Sequence, residues 1–261
     1  EAPEGALYFT EEDEFNAEGL FSKPLTPQGQ AGQMYEDNVE KPGKIEIVDK
    51  SPQILIYHSH ATESYMPNTA GNYHTLTEKY NVVSVGGILA KNLQDKYKYK
   101  VLHDKTYHDK ESYAYSYSNS LEMIKKYLNK YNSIKVILDI HRDAFNTEKL
   151  TEAQKKVKKD EYTAIINGKK AARIMLVIGG GNPNYKELEK FAVYIKKKMD
   201  KLYPGLFMKI TVHNTYKYNQ YFSNHSMLVE VGCMLNTSEE AAYSAQLLSR
   251  VLDEVIKDLK E

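Results

Sequence analysis

An apolar run of strand character, Ile54-Leu55-Ile56-Tyr57, leads directly into His58-Ser59-His60-Ala61-Thr62-Glu63. A histidine and a carboxylate three residues apart at a strand exit, His60 and Glu63, come to one point when the chain turns. Neutral imidazole and carboxylate oxygen are donors that suit zinc, which keeps three protein ligands and one open position when it does chemistry. His-x-x-Glu also arises by chance in a chain with 8 histidines. A third ligand and a general base therefore have to come from elsewhere.

His141 is the candidate third ligand. It lies near the end of a second β-branched apolar run, residues 135–143, which closes in charged side chains. Alternation with period two puts Asp139 and His141 on one face, where Asp139 would orient the imidazole. The candidate base is Glu230, a lone carboxylate interrupting the apolar run Met227-Leu228-Val229-Glu230-Val231. An ionised Glu is rarely buried without a partner, and beside a metal it is placed to take a proton from the attacking water. Each residue has a plainer role when taken alone: a strand-end histidine, a buried ion-pair partner. Three strand exits carrying His-x-x-Glu, His and Glu together point to metal-assisted hydrolysis.

Arginine occurs only at positions 142, 173 and 250, whereas lysine fills almost every other cationic position. Arg142, next to His141, is therefore a candidate for gripping a substrate carboxylate, because a planar guanidinium makes two-point contacts that lysine does not. The competing role is a structural pair with Asp143 or another acid.

The chain has 261 residues, enough to bury a substantial core, with 35 basic and 35 acidic side chains. Zero net charge argues against a polyanion-binding surface, so nucleic acid is not an expected partner, and the lysine runs at 155–159 and 196–198 read as solvated helix faces. Cys233 is the only cysteine, which excludes an internal disulfide and a thiolate zinc cluster. No run of eighteen apolar residues is present. The start at Glu1 reads as processed or trimmed, and a removed signal or anchor fits it.

The elements that must position these residues alternate. Residues 1–46, poor in aliphatics and rich in Pro and Gly, read as a partly ordered N-terminal extension, with a short strand over 44–48; residues 47–261 read as one catalytic domain. Strands are expected over 53–57, 99–102, the run ending at His141, 206–212 and 227–231. Helices are expected over 81–93, 113–131, 185–202 and 238–259. Residues 144–160 read as a polar surface excursion. Asn167-Gly168 marks a hairpin between 162–166 and 172–178. The triplet Gly179-Gly180-Gly181 lacks the Gly-Lys-Ser/Thr ending of a phosphate loop and reads as a permissive turn. The pattern is α/β: a mostly parallel mixed sheet flanked by helices on both faces, with ligands gathered at strand ends.

These residues resemble one family, stage II sporulation protein P, the peptidoglycan hydrolase of the engulfment machinery in endospore-forming bacteria. The match runs through residues 57–65, Val85-Gly86, His103-Asp104 with Tyr113, residues 139–144, Tyr218-Asn219-Gln220 and residues 228–232. The resemblance extends to zinc-dependent N-acetylmuramoyl-L-alanine amidases and, more distantly, to zinc carboxypeptidases. It implies a His, Glu, His metal set with a catalytic Glu on a late strand, which falls on His60, Glu63, His141 and Glu230. The carboxypeptidase-like spacing selects Glu63, the amidase-like arrangement would select Glu78, and Glu63 is preferred; His58 is the weaker histidine candidate.

The implied activity is cleavage of the amide between N-acetylmuramic acid and L-alanine, and the resemblance admits cleavage within the stem peptide as well. Implied partners are peptidoglycan, a sporulation hydrolase that cuts glycan, and membrane proteins of the engulfment complex. The implied location is outside the cytoplasmic membrane, facing the wall, with an anchor preceding residue 1. A different class stays open: a non-catalytic wall-binding or scaffold protein of the same fold, for which the 22 tyrosines would offer stacking surfaces for sugars.

Overall fold

The computed structural model describes residues 40–47, 50–68 and 70–260. Most of the expected N-terminal extension lies outside the described residues. Its last part, 40–46, is tied to the domain, since Ile45 is buried and its N–H donates to Leu259 O at 2.8 Å; the described residues of the strand expected over 44–48 form none.

The central sheet has six strands: β1 (Ile54–Tyr57), β2 (Val101–His103), β3 (Val136–Asp143), β6 (Ile174–Gly179), β7 (Phe207–His213) and β8 (His225–Cys233). Their order is β2-β1-β3-β8-β6-β7. Every adjacent pair is parallel except β6 with β8. The fold is thus the expected mostly parallel α/β sheet, with two strands of opposite direction at one edge. β4 (Thr163–Ile166) and β5 (Lys169–Ala172) form a separate antiparallel hairpin. Its turn, Asn167-Gly168, has φ of 50° and 76° at its two residues, the left-handed pair that tight hairpins need. The second hairpin strand ends at Ala172, and residues 174–179 instead join the main sheet.

The described residues include five α-helices, α1 (Val82–Asp95), α2 (Ser116–Lys130), α3 (Glu152–Glu161), α4 (Tyr185–Leu202) and α5 (Ser238–Lys260), of which all but α3 pack on the sheet. Asn81 caps α1 by accepting from Val83 N–H at 3.1 Å. α3 falls inside the segment read as a surface excursion. It buries no side chain, so it leaves no apolar stripe to see, but Thr151 and Gln154 close a capping box at its start.

The two faces of the sheet are covered unequally. Ile54, Ile56, Leu138, Leu176 and Val229 face one way and pack against α1, α4 and α5 in the main core. Leu55, Tyr57 and Ile137 face the other way and meet Ile124 of α2. Because α2 sits at the β1/β3 end, the same face over β8, β6 and β7 holds a pocket. No helix among the described residues is long and apolar enough to cross a membrane.

Candidate metal centre and pocket

The chain leaves β1 at Tyr57 and folds into a turn in which Glu63 N–H donates to His60 O at 3.1 Å. This turn folds the carboxylate back toward the imidazole. Glu63 Oε1 lies 3.6 Å from His60 Nδ1, and Glu63 Oε2 lies 3.3 Å from Nδ1 of His141, which β3 brings alongside. The structure thus gathers His60, Glu63 and His141, all buried, with one donor atom from each within 4.8 Å of the others. Bonds of 2.0–2.2 Å in tetrahedral geometry set ligand atoms about 3.3–3.6 Å apart. The two separations are of that size, one to each oxygen of Glu63, so the donor set and its closeness suit one zinc ion.

Asp139 stands behind His141. Its Oδ1 is 2.9 Å from His141 Nε2. Ser59 holds it from the other side, donating through N–H to Oδ1 at 2.9 Å and through Oγ–H to Oδ2 at 2.7 Å. With Nε2–H directed at Asp139, His141 is oriented to offer Nδ1 to the centre. Burial alone would raise the Asp139 carboxyl, but His141 and the Ser59 hydrogen bonds hold it below the ordinary range. Burial likewise opposes ionisation of Glu63, and His141 with Arg142 overcomes it. Burial disfavours the charged His141 ring too, yet Asp139 and Glu63 hold its pKa well above the usual histidine value. This corner is built to hold positive charge.

Glu230 is directly opposite His141 in the β3–β8 register, on the pocket face. Its Oε2 is buried without a hydrogen-bond partner among the described residues. Burial pushes its carboxyl well above the usual range, and repulsion from Glu63 and Asp143 adds to the rise that His141 and Arg142 oppose. Burial makes this carboxylate a stronger base than a solvated one, the property that proton transfer from an attacking water uses.

Arg142 lines the pocket but is only 2 % exposed, and its guanidinium is engaged by the segment that follows the metal turn, which favours the competing structural role. Nε donates to Ser64 O at 3.3 Å and Nη2 to Tyr73 O at 3.1 Å, while Nη1 lies 3.6 Å from Glu63 Oε1. Its backbone N–H also donates to Glu63 Oε2, at 3.0 Å. The acid it serves is a neighbour in the fold.

Two weaker ligand candidates lie elsewhere. Glu78 is half exposed and pairs with Lys105 at 2.6 Å. His58 points away from the centre, with Nδ1 2.9 Å from Ile140 O and Nε2 2.9 Å from His103 Nε2. Gly86 of α1 lies against this histidine pair, and a Cβ there would sit 2.5 Å from the His58 ring.

Several residues of the pocket and its surround received no role in the sequence reading, although Thr62, Tyr113 and Tyr218 fall in the stretches that carried the resemblance. Tyr113 stacks on His60 with centroids 4.0 Å apart, and Tyr117 meets the same ring edge-on at 5.3 Å. Thr62 is tied to His74 Nδ1 at 2.9 Å and to Asp109 at 2.5 Å, which pins the metal turn from outside. Lys209, Thr211 and His213 of β7 line the far side, with Tyr218 hydrogen-bonded to His213. The period-two spacing of 209, 211 and 213 was visible in the sequence, but nothing local says which face of the strand is the pocket face. The glycine triplet also gains a reason: the backbone of Tyr216 and Lys217 lies so close to Gly179 that no Cβ fits.

Among solved structures, the fold is similar to the CwlD amidase from Clostridioides difficile, determined in complex with the GerS lipoprotein. The TM-score is 0.51 at 10% sequence identity, covering 79% of this chain and 99% of that one. The N-acetylmuramoyl-L-alanine amidase AmiC2 of Nostoc punctiforme follows at a TM-score of 0.47 and 11% identity, covering 79% and 96%. The molecule therefore shares the α/β fold of the CwlD amidase and carries a buried His, Glu, His cluster at the end of its sheet. The chain belongs to the stage II sporulation protein P family, whose model matches residues 9–253. Stage II sporulation protein P of Bacillus subtilis (strain 168) is 29% identical over 241 residues, 88% of this chain. The chain spans 57% of the length of that relative.

Proposed function

We propose that this chain is a zinc-dependent peptidoglycan hydrolase. Its reaction is cleavage of the amide between N-acetylmuramic acid and L-alanine, with cleavage within the stem peptide as a second activity, in engulfment during endospore formation. The observation that carries this reading is the meeting of His60, Glu63 and His141 with the buried carboxyl of Glu230 in one pocket. The amidase fold and the sporulation family supply the substrate class. The site works outside the cytoplasmic membrane, alongside a glycan-cutting hydrolase and membrane proteins of the engulfment complex.

Zinc held by His60, Glu63 and His141 would supply Lewis-acid polarisation of the scissile carbonyl and would lower the pKa of the attacking water. The residues of the chain do the remainder. Glu230, one strand over from His141, takes the proton of the attacking water and returns it to the leaving nitrogen of L-alanine. Asp139 and Ser59 fix the His141 ring, and Arg142 fixes Glu63, so that neither ligand reorients as charge develops. Tyr113 and Tyr117 pack around His60 and keep bulk water from it.

The test is digestion of purified sacculi by the chain with zinc, with chelator, and with the Glu230→Gln variant, read by mass spectrometry. The expected products are stem peptides with a free L-alanine amino group, formed only by the zinc-loaded native chain. Wall binding without any released product would instead favour the scaffold reading.

A further inference from the structure

We propose that Lys209 recognises a carboxylate of the peptide part of the substrate, at the far end of a groove that crosses β8, β6 and β7 from the metal centre. The inference rests on the hydrolase reading above and names the part of the substrate that this groove takes.

The argument begins with register. His141 pairs with Glu230 across β3 and β8, Glu230 with Met175 across β8 and β6, and Met175 with Lys209 across β6 and β7. These four residues form one row, perpendicular to the strands, and all line the pocket. Asp139, Leu228, Val177 and Thr211 form the next row by the same pairings. Strands spaced 4.7–4.9 Å apart put the Lys209 backbone about 10 Å from that of Glu230 and about 14 Å from that of His141.

Lys209 reaches this row through an irregularity. Ile174 pairs with Phe207, but the next residue of β6, Met175, pairs with Lys209, so β7 carries one extra residue, Met208. Continued without the bulge, the register would set Lys209 opposite Leu176, which is fully buried in the main core. The bulge turns the ammonium toward the pocket, as bulges beside active sites commonly re-aim a side chain.

The chemistry of the row selects the occupant. Between Glu230 and Lys209 the floor is apolar, Met175 with Leu228 and Val177 beside it. Lys209 is half-buried and has no ion pair or hydrogen bond among the described residues. Its charge is felt inside the pocket, where it reinforces burial in holding His213 below the ordinary histidine range. A half-buried cation without a partner, about three extended residues from the proton-transferring group, fits an anion on the substrate. In a wall fragment the carboxylates lie on the stem peptide, while the glycan side offers neutral hydroxyl and acetamido groups. The stem peptide therefore lies over β8, β6 and β7, and the glycan leaves on the side of α2.

The experiment compares native chain, Lys209→Gln and Lys209→Arg on soluble muropeptides whose stem carboxylates are free or amidated. Cleavage kinetics and calorimetric binding are measured on each pair. On free-carboxylate muropeptides, Lys209→Gln should raise KM about tenfold with little change in kcat, and Lys209→Arg should restore most of the loss. On amidated muropeptides, native chain and Lys209→Gln should converge. Equal losses on both substrates, or none on either, would overturn the assignment while leaving hydrolysis intact. If neither substrate is cut by the native chain, yet Lys209→Gln selectively weakens binding of the free-carboxylate form, the hydrolase reading fails and the assignment of Lys209 stands.

Discussion

Arg142 holds Glu63 from two directions, with its backbone N–H 3.0 Å from Oε2 and its guanidinium 3.6 Å from Oε1. The residue after one proposed ligand thus fixes the carboxylate of another. The same guanidinium secures the segment that follows the metal turn, through Ser64 O and Tyr73 O.

Replacing Arg142 should therefore damage the centre itself. Arg142→Met leaves a buried Glu63 without its cation, a change that costs on the order of 3–5 kcal/mol when a buried pair is broken. The expected result is a lower melting temperature and less than one zinc per chain in metal-replete preparations. Activity losses should be equal on free and amidated muropeptides; a loss confined to free carboxylates would return Arg142 to substrate recognition.

Asp139→Asn should weaken zinc binding by about 10–100-fold, the usual effect of removing a carboxylate that orients a ligating histidine. The amide still fills the space beside Ser59 but no longer enforces the His141 tautomer. Competition with a chelator of known affinity measures the change, and unaltered affinity would show that Ser59 orients the ring by itself.

Glu230→Gln keeps shape and removes the proton acceptor. Zinc stoichiometry and wall binding should be retained while turnover falls by about 10²–10⁴. Measured on one preparation, near-normal turnover would remove Glu230 from the chemistry, and failure to fold would assign it a structural role.

The His58–His103 pair predicts an acid-sensitive fold. Burial lowers His103 to about 4, with the Lys105 charge adding to the effect, and burial lowers His58 to about 3, with His103 adding to it. Neither ring takes up a proton in the folded chain at the ordinary histidine pKa of 6.5. For His58 geometry adds to burial: Nδ1–H donates to Ile140 O, so Nε2 accepts from His103 Nε2–H, and a further proton on His58 would set hydrogen against hydrogen. Both rings protonate near 6.5 in the unfolded chain, so the unfolded state binds more protons below that pH, and stability falls as pH drops from about 6.5 toward 4. The loss by pH 5 should be on the order of 1–2 kcal/mol per ring. Urea unfolding of native chain and His103→Gln at pH 7 and pH 5 checks this, and the variant should show the shallower dependence.

What the sequence determined by itself was local. His60 and Glu63 are three residues apart at the end of an apolar run, and one turn suffices to bring them together. Asp139 and His141 share a face because strands alternate. Helices α1, α4 and α5 were legible because each carries a continuous apolar stripe, and the hairpin because Asn-Gly tolerates left-handed backbone. By contrast, α3 packs no apolar face and left no such stripe.

Only the tertiary structure decided the relations across strands. Glu230 lies 89 residues beyond His141, and the parallel pairing of β3 with β8 sets them side by side. Arg142 looked like a substrate contact because its rarity and position were visible, whereas the acid and carbonyls that occupy it come from a turn about 80 residues earlier. Lys209 looked like one lysine among many until the bulge in β7 and the order β8-β6-β7 placed it in the row of His141 and Glu230. Spacing along the chain states which neighbours share a turn or a face; sheet order and register, set by burial of one face against α1, α4 and α5, decide which distant residues meet.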